Sequence, residues 1–343
     1  MRRILKGVTR RLIHAAASAV DQAATIAVSR DTLRVRARSS TGARLTQIFD
    51  FADEWQRVES TFDFAPFVEI SPLLTQTATG QLDAAWPSEY SPFFEDLARA
   101  LPASQNQTAA ARFFGFDPKR PTVVVVHGYL AGQYALEQKI WPLAWLSELG
   151  LNVVLFTLPF HGVRLGKGER RRFPTKSPRE NIEGLRQAVF DLGNLIRWLR
   201  ASSQAKVGLA GMSLGSYVSA LLATLSGDLD FLVTWVPLAS FADFALEQHQ
   251  LGNDFQTRSR AHQTLAHIYS KVSPLERPPL LERGRTLVIG ARADRITPIT
   301  HAQRLARHFQ APLHSVPGGH LLQFGRSEGF RVMQDFLKQS GVI

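Results

Sequence analysis

Gly211-Met212-Ser213-Leu214-Gly215 decides how this chain is read. Lys206 to Ala210, ahead of it, reads as a short buried strand. Tyr217, Val218, Ala220, Leu221, Leu222 and Leu225, behind it, read as an apolar helix. A serine on a sharp strand-to-helix turn presents its hydroxyl at the head of a sheet. Glycines on either side suit such a turn, because it packs against neighbouring backbone where a Cβ would collide. Chance alone supplies a five-residue match in about one chain in ten of this length. A serine that merely caps a helix would look the same, so the flanking sequence has to decide.

A regular alternation begins at Pro121. Thr122–Val126, Leu151–Leu158, Val207–Ala210, Phe231–Leu238, Thr286–Ile289 and Leu313–Val316 are short apolar or β-branched runs. Helix-like stretches lie between and after them: Tyr134–Leu149, Arg179–Ala201, Ser213–Ser226, His301–His308 and Glu328–Lys338. Near-continuous apolar strands alternating with helices predict an α/β fold, a mostly parallel sheet covered on both faces. Ligands of such sheets bind beyond the carboxyl ends of the strands. Ser240 to Gly284 breaks the alternation, and its aromatics, histidines and closing prolines predict a small helical cap. Phe49 to Phe116, rich in aromatics and proline, reads as irregular structure and short helices that wrap the core. The expected organisation is a basic amphipathic segment over 1–48, a wrapping extension over 49–111, and the α/β domain over 112–343 with its cap at about 240–284.

Three further features fall at strand ends. His127-Gly128-Tyr129 follows four valines, and the backbone N–H groups of Tyr129 and Leu214 together could bind an oxygen that gains negative charge. The His127 imidazole itself reads as structural. Asp294 stands just past a strand, placed to orient a histidine or, in the plainer reading, to cap a helix or pair with Arg292 or Arg295. His320 follows Val316-Pro317-Gly318-Gly319, on a glycine-rich loop that can reach a serine proton. Asp243 is a second candidate for the acid.

The order Ser213, Asp294, His320 resembles the α/β-hydrolase superfamily over roughly residues 112–340. The Gly-x-Ser-x-Gly turn, the His-Gly turn, the Gly-x-x-x-Asp segment ending at Asp294 and the Gly-Gly-His loop all match. Leu158-Pro159-Phe160-His161-Gly162 is similar to a Pro-Gly-His-Gly turn of many members, with Phe160 in place of its first glycine. The resemblance implies acyl-transfer chemistry with Ser213 as nucleophile, His320 as base and then acid, and Asp294 as its orienter. A serine hydrolase acting on a partly apolar carboxylic ester is the expectation. Acyltransferase, thioesterase and peptidase share the same machinery, and a non-catalytic binding scaffold is the reading from another class.

The rest of the chain bounds these expectations. Cysteine is absent, which excludes disulfides, thiolate metal sites and a cysteine nucleophile. No cofactor and no metal is expected: His249, His262 and His267 lack the spacing of a zinc helix, and Gly128–Gly132 has no phosphate-loop lysine after it. Ten of the 40 Lys and Arg fall in residues 1–49 against two Asp, so the net charge of +11 belongs mainly to that segment. Nothing else suggests a nucleic-acid partner. Ile4, Leu5, Val8, Leu12, Ala15, Ala19, Ala23 and Ile26 recur at helical spacing, opposite Arg2, Arg3, Lys6 and Arg10. Such a helix over residues 1–30 fits packing on the body, peripheral contact with an anionic membrane, or a weak export leader that Asp21 interrupts. A cytoplasmic location, with or without membrane association, is the expectation. Lys167, Arg170, Arg171 and Arg172 form a basic cluster, read as a solvated loop. The oligomeric state is open.

Overall fold

Val123 and Val125 pack into one hydrophobic layer, while Val124 and Val126 pack into another on the opposite side. This parity is what a strand buried on both faces requires, since successive side chains alternate. The strand, Thr122–Val126, is β4 in a sheet of nine. The computed structural model describes residues 13–24, 41–59, 62–64, 66–100, 105–169 and 173–343. Its strands are β1 (Leu73–Gln76), β2 (Leu82–Pro87), β3 (Thr108–Phe114), β4, β5 (Asn152–Thr157), β6 (Val207–Met212), β7 (Phe231–Trp235), β8 (Thr286–Ala291) and β9 (Leu313–Val316). They lie side by side in the order β1-β2-β3-β5-β4-β6-β7-β8-β9. From β5 to β9 every neighbouring pair is parallel, and β1, β2 and β3 add an antiparallel wing at one edge.

The helices are residues 13–24 (α1), α2 (Thr41–Val58), α3 (Glu95–Ala100), α4 (Tyr134–Ile140), α5 (Leu143–Glu148), α6 (Pro178–Ser202), α7 (Leu214–Leu222), α8 (Phe241–Glu247), α9 (Phe255–Tyr269), α10 (Ile299–His308) and α11 (Arg326–Gln339). One face of the sheet is covered chiefly by α2, α6, α7, α8 and α9, the other by α4, α5 and α11. Ser177 caps α6, accepting the Glu180 amide at 3.4 Å, with Pro178 at the first helical position, where its missing N–H costs nothing. Among the described residues, no helix is long and apolar enough to cross a membrane.

The structure departs from the sequence reading in several places. The expected helix over Tyr134–Leu149 is two helices, because Pro142 breaks the ladder after Trp141. Residues 49–111 hold more regular structure than the expected irregular wrap: α2 runs across the boundary at 48/49, and β1, β2 and β3 extend the sheet. The cap holds α8 and α9, and α9 packs against α2 and α6. Tyr217, on α7, donates its hydroxyl to the Val272 carbonyl at 2.9 Å, tying the cap to α7.

The N-terminal helix shows the largest reversal. Ala17, Ser18 and Asp21 are buried, whereas Ala15, Ala19 and Ala23 of the expected apolar stripe are exposed. At 100° per residue the two sets lie on roughly opposite sides of the helix. Ile4, Leu5, Val8, Leu12 and Ile26, the other members of that stripe, lie outside the described residues, as do Arg170–Arg172 of the basic cluster.

Candidate active site

β4 pairs with β5 on one side and β6 on the other, so the chain order reverses there, the position at which sheets of this kind bind ligands. The turn after β6 and the loop after β4 pack against each other there, Gly128 against Ser213 and Gly215 against Val126. Ser213 sits between β6 and α7 with φ 54° and ψ −114°, a conformation that non-glycine residues adopt only under constraint. The constraint is visible. The Ser213 amide donates to the Trp235 carbonyl at 3.0 Å, and the Leu238 amide donates to the Ser213 carbonyl at 3.2 Å. Ser216 braces the turn: its hydroxyl lies 2.7 Å from the Gly211 carbonyl and accepts the Trp235 amide at 3.2 Å.

Both glycines of the turn answer to space. A Cβ on Gly215 would lie 2.0 Å from the Val126 carbonyl oxygen, and one on Gly211 would lie 2.5 Å from the Gly215 carbonyl oxygen. Gly128 is different, since a Cβ there would meet Ser213 Cβ at an ordinary 3.4 Å. The positive-φ residues of that loop are Leu130, at φ 63°, and Gly132, at φ 93°.

Ser213, Asp294 and His320 come together although they stand on three separate loops. His320 Nε2 is 3.0 Å from Ser213 Oγ, and His320 Nδ1 is 2.8 Å from Asp294 Oδ2. A carboxylate oxygen can only accept, so Nδ1 carries the proton and Nε2 is left to accept from the serine hydroxyl. The other Asp294 oxygen, Oδ1, accepts the amides of Ile296 and Thr297 at 2.9 and 2.8 Å. One oxygen thus turns Asp294's own loop while the other meets the histidine; Asp294 caps no helix, since α10 begins after Pro298. Arg292 and Arg295 are engaged elsewhere, on Ser315 and Ser18.

The histidine is enclosed, with its side chain 10% exposed and the Asp294 side chain fully buried. Burial pulls the His320 pKa down. The Asp294 charge, its hydrogen bond and the Asp21 charge outweigh that, leaving the pKa above the ordinary histidine value.

The competing acid is occupied. Asp243 accepts from His262 Nε2 at 2.7 Å and pairs with Arg304. Burial disfavours its charge, but His262, Ser240 and Arg304 together hold its pKa below the usual carboxylate value. His127 takes the structural role: its Nδ1 donates to the Gly128 carbonyl at 2.7 Å while Nε2 accepts the Leu158 amide at 3.0 Å. Tyr129 stands on that loop, beyond Gly128, and Leu214 is the first residue of α7. First-turn N–H groups have no partner inside their own helix and attract negative charge. Phe160, where the similar turn has glycine, carries the left-handed backbone itself at φ 59°. No group of three His, Asp or Glu among the described residues is arranged to hold a metal.

Sequence reasoning missed three contributors. Thr297 Oγ1 lies 3.0 Å from His320 Nδ1 and 3.1 Å from both Asp294 Oδ2 and the Val236 carbonyl. Its signal was its place three residues after Asp294. Ser216 was hidden in an apolar helix. Asp21 left no positional signal at all, because it arrives from some 300 residues away.

The sheet order and the placement of these loops define a protein of the α/β-hydrolase fold. Similar solved structures are the acetyl xylan esterase of Paenibacillus sp. R4 (TM-score 0.55, 13% identity, 83% of this chain and 92% of that one) and acetyl xylan esterase 1 of Thermoanaerobacterium sp. JW/SL YS485 (TM-score 0.54, 15% identity, 84% and 93%). No family model matches the chain. It belongs to the same family as the uncharacterized protein Rv2627c of Mycobacterium tuberculosis H37Rv, which is 30% identical over 289 residues, 79% of this chain and 69% of that protein.

Proposed function

We propose that the protein is a serine hydrolase that cleaves a carboxylic ester through an acyl-enzyme intermediate. The observation that carries this reading is the unbroken chain from Ser213 Oγ through His320 to Asp294, at 3.0 and 2.8 Å, at the head of the sheet. Ser213 Oγ attacks the ester carbonyl while its proton passes to His320 Nε2, and Asp294 stabilises the imidazolium that forms. The amides of Tyr129 and Leu214 receive the carbonyl oxygen as it gains charge. His320 then returns the proton to the departing alcohol. Water, deprotonated by the same histidine, releases the acid and restores Ser213. The acetyl xylan esterases of like fold put ester cleavage among the chemistries this scaffold houses.

A partly apolar substrate is supported by the residues exposed on the site loops. Tyr129 and Leu130 follow Gly128, Leu321, Leu322 and Phe324 follow His320, and Val163 stands on the turn after β5. A fluorophosphonate should label the protein once, at Ser213. Across a panel of esters, kcat/KM should rise with acyl length before it levels. Failure to label would overturn the mechanism; equal rates across the panel would overturn only the apolar preference.

The acid side of the pH profile gives a separate check. His320 must be neutral to accept a proton, and its pKa is raised. Activity should therefore fall as pH drops through a midpoint above about 6.5, the ordinary histidine value. A midpoint at or below that value contradicts the assigned environment of His320.

A further inference from the structure

We infer that Asp21 is a positioning residue for the histidine, clamping the His320 loop and the Asp294 turn into one register from the N-terminal helix. The inference rests on reading Ser213, His320 and Asp294 as the reacting set. Asp21 is fully buried, and each of its oxygens faces backbone donors. Its Oδ2 accepts the His320 amide at 2.7 Å and the Arg295 amide at 3.1 Å, while Oδ1 accepts the Leu321 amide at 3.0 Å. Ser18, one turn earlier, donates its hydroxyl to the Ala293 carbonyl at 3.2 Å. Thus the residues on both sides of Asp294, and His320 itself, are bound to one face of α1.

Two further facts separate this from a helix that merely rests on the surface. Gly319, the residue before His320, has no room for a Cβ: it would lie 2.7 Å from Asp21 Oδ2 and 3.2 Å from Ala17 Cβ. The loop therefore approaches α1 as closely as backbone can. Moreover, α1 turns Asp21 inward and leaves Ala15, Ala19 and Ala23 outside. An apolar stripe would anchor a helix at far smaller desolvation cost than a buried carboxylate. What the carboxylate supplies, and alanine cannot, is three acceptor contacts on amides of two loops, together with a charge near the imidazole.

The groups facing that imidazole are Asp294 and Thr297 from the β8–α10 turn, Ser213 from the β6–α7 turn, and Asp21 from α1. The Arg295 guanidinium is turned to Ser18. Removing the Asp21 charge removes one of the influences that raise the histidine pKa.

The test compares full-length wild type with Asp21→Asn, Asp21→Glu and Gly319→Ala. It reads kcat and KM against pH with a short-chain nitrophenyl ester, and it titrates the His320 imidazole by NMR in the unliganded protein. In Asp21→Asn, kcat should fall by about tenfold to 100-fold with KM within about twofold, the scale on which misplacement by an ångström acts. Its acid limb and its His320 titration should both move to lower pH. Asp21→Glu keeps the charge on a longer arm, so the titration should return towards wild type while kcat recovers only in part. Gly319→Ala, with the carboxylate intact, should lower kcat by displacing the loop. An unmoved acid limb and His320 titration in Asp21→Asn would overturn the inference, as would activity lost only in proportion to unfolded protein. If Asp21→Asn does not fold, Asp21→Glu and Gly319→Ala decide: wild-type kcat in both overturns it. A wild type that cleaves no ester, alongside a shifted His320 titration in Asp21→Asn, would reject the hydrolase reading and uphold the clamp.

Discussion

Ser213→Ala is expected to lower ester turnover by about 10⁴-fold or more and to abolish fluorophosphonate labelling. The size follows from what is removed. In the proposed mechanism the serine oxygen is the atom that forms the bond, and without it the amides of Tyr129 and Leu214 would have no acyl intermediate on Ser213 to stabilise. Folding should be nearly untouched, because the turn is held by backbone contacts and by Ser216, and the substitution deletes a single oxygen. Asp294→Asn should come next. The asparagine nitrogen would donate towards Nδ1, favouring the tautomer that points a proton at Ser213, and a loss of about 10⁴-fold is the scale of that error. Asp243→Asn should change turnover little, because Asp243 is bonded to His262 and Arg304. Should the Asp243 variant be the more damaged, the acid has been assigned to the wrong residue. Undiminished hydrolysis in Ser213→Ala would remove the mechanism altogether.

The parts of the fold legible in the sequence are those where one physical demand acts alone. β4 to β8 are buried on both faces, so each reads as an unbroken apolar run. The serine turn is legible for a similar reason: its glycines answer to collisions with the Val126 and Gly215 carbonyls, and few other residues would fit. The antiparallel wing was illegible. Leu73–Gln76 is exposed along its whole length, and Thr108–Phe114 begins Thr-Ala-Ala-Ala, a run with little strand preference of its own. These segments are strands because a neighbouring edge offers them hydrogen bonds, which no local pattern records. The N-terminal helix was legible as a helix and misread as a face. Its alanines gave a stripe at the correct period, but what docks it is a carboxylate and a set of amides about 300 positions away. Periodicity counts apolar side chains and cannot see such a bond.

The largest effect on stability is expected at Arg164 and Asp191, which form an ion pair at 2.7 Å with both side chains fully buried. Arg164 follows β5 and Asp191 lies in the middle of α6, so the pair bolts the longest helix among the described residues to the sheet. Asp191 also accepts from Ser88 Oγ at 2.7 Å, and Arg164 donates to the carbonyl of Asn106 at 2.8 Å, drawing in the antiparallel wing. Asp191→Leu would leave the guanidinium buried with no counter-charge, at a cost of about 3–5 kcal/mol. That is a large part of the about 5–15 kcal/mol that typically holds a domain folded. Burying both charges nevertheless carries a desolvation cost that their attraction has to offset. Burial raises the Asp191 pKa, and the Arg164 charge with the Ser88 hydrogen bond only partly offsets it. A carboxyl whose folded pKa lies above its unfolded value destabilises the fold as pH rises through that window. Charging Asp191 in the folded protein therefore carries a desolvation cost. Arg164→Met combined with Asp191→Leu removes both charges and that cost together, so the double variant should recover most of the stability the single variant loses. Urea midpoints for the wild type, the two single variants and the double variant measure this as a coupling energy. Losses that simply add would show that the two side chains act separately, and that the ion pair is not what fastens α6 to the sheet.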